Sequence, residues 1–229
     1  MQYRIGGAPL TGAAPSLFSE PEANCTLCGR LAEFRQANRV ALPGAHNAPV
    51  PAFGPLDARL LIIGLAPGLH GANQTGRPFT GDWAGDMLYP TLLRHGFAQG
   101  QYGERVDDGL QLIACRISNA VRCVPPQNKP TPAEISACRD FLSREIAAMA
   151  ELKAILCLGR IAHDSAVRLF GVKAKDFPFA HGASHRLAHR SLKLYDSYHC
   201  SRYNTNTGVL TQDMFDAVIE RIATDLWLS

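Results

Sequence analysis

The residue types that do chemistry gather in this sequence in four cysteines and in the loops that close its apolar runs. Cys25 and Cys28 form a C-x2-C pair, and fourteen residues, VPPQNKPTPAEISA, lie between Cys123 and Cys138. Four thiolates close a tetrahedral zinc site or hold an iron–sulfur cluster. Spacing alone leaves both open: zinc ribbons usually pair two tight knuckles, and the second pair here is loose. Small buried side chains would account for Cys123 and Cys138 as well. Cys115 and Cys157 fall inside apolar runs and read as core. Seven cysteines behind a start, MQYRIGGAPLTGAAPSLF, that does not read as a signal peptide argue against a disulfide framework and for a cytoplasmic protein.

The loops hold the rest. In LLIIGLAPGLHGANQTGRPFTGD the segment GLAPG has neither the Gly-Lys-Ser/Thr ending of a phosphate loop nor dinucleotide-fold spacing. Its glycines mean tight turns or close approach of a ligand. Phe79, in a polar glycine-rich loop, has no regular face to bury into and suits stacking on a planar ligand. Arg77 suits a phosphate. Asn119 ends a second apolar run, where its amide offers a donor and an acceptor in one plane, as the edge of a pyrimidine requires. YHCSRYNTNTG packs His199, Ser201, Arg202, Tyr203, Asn204 and Asn206 into one segment. A histidine there serves as a general acid or as a donor to developing negative charge. Ser201 suits a phosphate, and Arg202 or Tyr203 a stack of bases. N-capping of the last helix explains part of this string but not His, Arg and Tyr together.

These loops must be positioned by something, and the chain between them alternates. ARLLIIG, LQLIACRISNAV, KAILCLG and SLKLYDSYH read as buried strands, and helical periodicity fills the intervals. TPAEISACRDFLSREIAAMA opens with Thr131, Pro132 and Glu134, a cap and first-turn signal. WAGDMLYPTLLRHGF carries a helical pattern with a break expected at Pro90. Apolar strands alternating with helices imply an α/β fold, a three-layer α/β/α sandwich around a central, mainly parallel four-stranded sheet. Ligands of such sheets sit at the carboxyl ends of the strands, where these loops begin. We expect one domain over residues 1–229, with residues 1–58 an irregular lead-in that carries the first cysteine pair and a proline-rich loop. The 229 residues carry a formal net charge of +3, which permits a polyanionic partner without demanding one. No apolar run approaches the roughly 20 residues of a membrane span.

With GLAPGLHGANQTGRPFTGD, NAVRCVPPQNKPTP, YHCSRYNTNTG and the four cysteines in this order, the chain resembles the uracil-DNA glycosylase superfamily, and within it the type B (family 5) iron–sulfur enzymes. The resemblance runs from about Cys25 to the C-terminus. It implies that Cys25, Cys28, Cys123 and Cys138 ligate a structural [4Fe–4S] cluster. It further implies that Phe79 stacks on a flipped base, that Asn119 reads its Watson–Crick edge, and that His199 donates to its O2. Ala66, Gly68 and Asn73 would complete the base pocket, and Arg77, Ser201, Arg202, Tyr203 and Asn204 would meet DNA. Better-known branches carry a polar, water-handling residue in the GLAPG turn, where this chain has Leu65 and Ala66. Asp82, the sole carboxylate between Leu61 and Trp83, is therefore expected to handle the water, with Asn73 in reserve.

The expected activity is monofunctional hydrolysis, excising uracil and other deaminated bases from DNA and leaving an abasic site. No lysine stands in the inferred site for a lyase step. The expected partner is uracil-containing DNA, with no membrane, and the protein is expected to be a monomer. Two rivals belong to other readings. One is a non-catalytic, zinc-stabilised nucleic-acid binding module. The other is a relative that traps abasic sites through a basic histidine loop, for which AHGASHRLAHR offers His181, His185 and His189, away from the expected insertion point.

Overall fold

The computed structural model describes residues 18–188 and 191–227. Four apolar runs form parallel strands: β1 (Leu60–Gly64), β4 (Cys115–Asn119), β5 (Ala154–Leu158) and β7 (Lys193–Ser197). Two short strands, β2 (Ala98–Gln99) and β3 (Gln111–Leu112), make a separate antiparallel pair. A further strand, β6 (Ser184–Arg186), pairs antiparallel with the edge of β7, so the main sheet has five strands in the order β4-β1-β5-β7-β6. The four expected strands are all present. The fifth is short and mostly exposed, and it lacks the apolar signature that marks the other four.

Every residue of β1, β4 and β5 is buried, as strands covered on both faces must be. Alternation divides them between two layers. Leu60 and Ile62 face Leu88 and Leu92 of α3 (Trp83–Arg94) and Phe215 and Ile219 of α7 (Gln212–Trp227). Leu61 and Ile63 face the opposite way, with Leu142 and Ile146 of α4 (Pro132–Ala148) and Ala162 and Ala166 of α5 (Arg160–Leu169). Sheet and two helical layers give the three-layer sandwich. α1 (Gly29–Ala41) carries the segment after the first cysteine pair, and its Leu31 joins a third cluster with Val121, Ile135 and Phe141.

Local chemistry explains the element boundaries. Thr131 and Glu134 form the reciprocal capping box, Thr131 Oγ1 accepting from Glu134 N–H and Glu134 Oε2 from Thr131 N–H. The run LQLIACRISNAV is not one strand. It breaks at Ala114, whose φ of +49° turns the chain while its carbonyl accepts from Arg59 and Leu60 N–H. α3 passes through Pro90 without ending there, because Leu88, Tyr89, Thr91 and Leu92 bury its face. The expected break is thus overridden by packing. The lead-in is tied down by Glu20, which pairs with Arg116 and Arg122 beside the buried Glu145. No helix among the described residues is long and apolar enough to cross a membrane.

β1 hands the chain toward β4 on one side, and β5 hands it toward β7 on the other. The switch point between them is where open α/β sheets bind ligands.

Candidate active site

A cleft of about 340 Å³ opens at the carboxyl end of the sheet. Three strand-end loops build it. The loop after β1 supplies Ala66, Gly68, Phe79 and Asp82; the end of β4 supplies Asn119; and the loop after β7 supplies His199, Ser201 and Arg202. The fourth loop touches it indirectly, Gly159 lying against His199 Cβ.

Asn119 forms the floor. It is 3% exposed, and its Oδ1 has no hydrogen-bond partner among the described residues. Gly64 is what lets it sit there: a Cβ on that residue would overlap Asn119 Oδ1 and come within 2.6 Å of Phe79 Cζ. Phe79 adopts φ +52°, a strained conformation for an aromatic residue. The strain is held by fixed carbonyls: Pro78 O accepts from Tyr89 Oη at 2.5 Å and Phe79 O from Tyr102 Oη at 3.4 Å. The Phe79 ring lies 5.9 Å from the His199 ring, tilted by 31°. Asn204 Nδ2 donates to His199 O at 2.8 Å and fixes its backbone. Burial pushes the His199 pKa down to about 4, so the imidazole is neutral near pH 7.

Asp82 does two things. Its Oδ1 caps α3, accepting from Ala84 N–H at 3.2 Å and Gly85 N–H at 3.3 Å. Its Oδ2 lies over Gly68 and Gly71, and a Cβ on Gly71 would collide with it. The carboxylate is thus anchored by one oxygen while it lines the cleft. Burial raises its pKa above the usual carboxylate range, with the two backbone donors pulling the other way.

Three of the expected site residues are engaged elsewhere in this structure. Arg77 does not line the cleft. It is 4% exposed, paired through both terminal nitrogens with Asp108 at 2.8 and 2.6 Å, and packed over Phe53, Tyr89 and Tyr102. It therefore holds the loop from behind. Arg77→Ala takes the cation from the Asp108 carboxylate and leaves it only the Gly103 and Leu110 N–H donors, which should cost about 3 kcal/mol of unfolding free energy. Urea unfolding should show that loss, while the salt dependence of DNA binding stays as in the wild type. Asn73 is not in the cleft: it is buried, and its Nδ2 donates to Asn47 Oδ1 at 3.0 Å. Asn204, expected at DNA, spends its amide on His199 O.

The rim does carry DNA-type groups. Tyr203 is 74% exposed, Arg202 is exposed, and Ser201 caps the short helix α6 (Arg202–Asn206) through Asn204 N–H. Trp83, on the same rim, donates to Thr205 Oγ1 at 2.7 Å and lies beneath the Arg202 guanidinium. Sequence reasoning missed Trp83 and Asn128, both of which line the cleft. His181 stacks on Tyr198, and His185 packs against His163 and Phe177; neither lines the cleft, and His189 lies outside the described residues. Cys200 is fully buried, and burial pushes its thiol up to about 12, an environment that gives no support to a nucleophilic role.

The four thiols meet at a second, smaller cavity. Cys25, Cys28, Cys123 and Cys138 line it with Leu31 and Phe141. Arg35 donates to Cys123 Sγ at 3.5 Å, and Arg122 N–H to Cys138 Sγ at 3.3 Å. Burial pushes the Cys123 thiol up to about 11 and the Cys138 thiol up to about 12, so both need a metal to become thiolates. A single zinc would draw its sulfurs to within about 4 Å of one another. Among the described residues no group of three or more His, Cys, Asp or Glu side chains is already set to hold a metal ion. Four thiols ringing one cavity, with N–H donors on two sulfurs, are a donor set that suits a zinc ion or an iron–sulfur cluster.

A buried amide edge, an aromatic ring and a neutral histidine, grouped at the strand ends of a parallel sheet, define a pocket for a planar heterocycle. A model of the uracil DNA glycosylase superfamily matches residues 51–223, and the chain belongs to that superfamily. Within it, the chain is similar to Type-5 uracil-DNA glycosylases. It is 43% identical to the one from Thermus thermophilus over 85% of this chain and 90% of the relative. Identity is 40% with the Mycobacterium leprae enzyme over 91% and 95%. With that of Pyrobaculum aerophilum it is 36% over 88% and 89%.

Proposed function

We propose that this protein is a DNA repair glycosylase that extrudes uracil from DNA and hydrolyses its N-glycosidic bond, leaving an abasic site. The observation that carries the reading is Asn119, a buried side chain that lines the cleft and whose Oδ1 has no hydrogen-bond partner among the described residues. An orphaned buried acceptor costs about 1–3 kcal/mol unless a ligand donor meets it. The N3–H of uracil is such a donor, and the Asn119 Nδ2 then meets an adjacent carbonyl.

The nucleotide must leave the duplex to reach that floor, at a cost of a few kcal/mol in lost stacking and pairing. Phe79 replaces the lost stacking from one side. The C1′–N1 bond breaks with its electron pair moving onto the base, and His199 donates to the carbonyl where that charge gathers. Asp82 faces the positive sugar, orients a water at C1′ and takes its proton as the new C–O bond forms. Ala66 and Ala72 leave part of the wall without a polar or bulky side chain, so other deaminated bases are accepted alongside uracil. Cys25, Cys28, Cys123 and Cys138 would hold a [4Fe–4S] cluster that crosslinks the N-terminal segment to the β4–α4 connection and takes no part in the bond exchange. The zinc-stabilised binding module is the weaker reading, since it gives the Asn119 floor and the Asp82 wall nothing to do.

The test is direct. The protein is incubated with an oligonucleotide containing one uracil, single-stranded or paired, and abasic sites are then cleaved with alkali. Strand scission at the uracil position is expected. None on either substrate overturns the enzymatic reading.

A further inference from the structure

Asn128 belongs to the cleft although it stands nine residues beyond the end of β4, far along the β4–α4 connection. It sits in Pro126–Asn128, a single 3-10 turn between the thiols of Cys123 and Cys138, and it lines the cleft together with Asn119 and His199. Two consecutive residues here, Gln127 and Asn128, hold φ +56°. Left-handed backbone at adjacent non-glycine residues is costly and persists only where the surroundings enforce it. Pro125, Pro126 and Pro130 restrict the chain on both sides, and Arg30, two residues beyond Cys28, donates to Lys129 O at 3.1 Å while pairing with Glu134. The turn is therefore clamped against the cleft. Asn128 is exposed; its backbone N–H donates to Pro125 O at 3.1 Å, and its side-chain amide makes no hydrogen bond to another described residue.

We propose that Asn128 is a substrate-positioning residue that donates its side-chain amide to a backbone phosphate beside the extruded nucleotide. This rests on the glycosylase reading. Depth decides what Asn128 meets: Asn119, almost wholly buried, takes the base edge, whereas an exposed rim group meets the sugar–phosphate that still joins the nucleotide to its strand. Lys129, exposed on the same turn, adds a cation along that path. A neutral amide positions the phosphate without adding to the salt dependence that lysine supplies.

Glycine separates the side chain from the backbone conformation, because it holds φ +56° without strain. Asn128→Gly is expected to raise KM for uracil-containing DNA about tenfold with kcat within about twofold, the loss of one hydrogen bond to a charged group. Asn128→Asp, which keeps the same backbone preference but sets a carboxylate against the phosphate, should raise KM further. Free uracil should inhibit all three proteins equally, since the base contacts are untouched. A wild-type KM in Asn128→Gly overturns the proposal and leaves asparagine there for its conformation alone. Free-uracil inhibition that weakens in step with KM overturns the phosphate assignment in favour of a base contact. Both outcomes are read on enzyme that excises uracil, so they stand apart from failure of the glycosylase reading, which would silence the wild type as well.

Discussion

Asp82→Asn is expected to lower kcat on uracil-containing DNA by about three orders of magnitude while leaving the protein folded and as stable as the wild type. The two halves of this expectation come from the two oxygens. Oδ1 accepts from Ala84 and Gly85 N–H and begins α3. Asparagine retains an acceptor at that position and is as good an N-cap as aspartate, so the helix start should survive. What asparagine lacks is the charge over Gly68 and Gly71 and the ability to take a proton from water. Removing a positioned general base costs roughly 10²–10⁴ in rate, and here the charge facing the sugar cation goes with it. Asp82→Ala should lose the same activity and a further ~1 kcal/mol of stability with the cap. Single-turnover cleavage and thermal unfolding of both variants would check this. Equal loss of stability in the two would place the role of Asp82 in the helix rather than in the chemistry.

The pH profile follows from the same residue. Asp82 works as a carboxylate, and burial raises its pKa. Activity should thus be full above that raised value and fall as pH drops through it. His199 does not contribute this limb, because its pKa lies near 4 and its protonated form still donates. The residual rate of Asp82→Asn should have no acid limb.

Asp82 also shows why parts of the site were legible in the sequence and parts were not. A strand covered on both faces has to be apolar, so β1, β4, β5 and β7 announced themselves, and with them the loops that open at their ends. Thr131 and Glu134 are three residues apart and make their bonds to each other, which a linear reading can see. The pairing of Arg77 was hidden for the opposite reason. Its partner Asp108 lies 31 residues away across the β2–β3 region, and nothing local marks the pair. The same holds for Asn73 and Asn47, and for Asn204, whose acceptor is a backbone carbonyl with no identity in the sequence. Asn128 was hidden differently. It lies nine residues beyond the end of β4 and reaches the cleft only because the chain between the two cysteines folds back over it.

His199→Ala should lower kcat by 10²–10³, with KM changed far less, because its donor serves the departing base more than the bound one. The environment makes the neutral imidazole the working form: burial holds its pKa near 4, and no carboxylate pairs with the ring among the described residues. A neutral donor fixed by Asn204 through its own backbone need not reorganise as charge develops on the base, which is where preorganised donors gain their effect. The role has a consequence that a merely structural histidine lacks. A leaving base that carries negative charge more easily needs the donor less. The rate on 5-fluorouracil, whose anion is more stable than that of uracil, should therefore fall by a smaller factor in His199→Ala than the rate on uracil. His199→Gln, which keeps an N–H donor on a different reach, should recover part of the uracil rate. Equal losses on the two bases would mean that His199 acts by shaping the pocket around Phe79, whose ring lies 5.9 Å away, and not by holding charge on the leaving group.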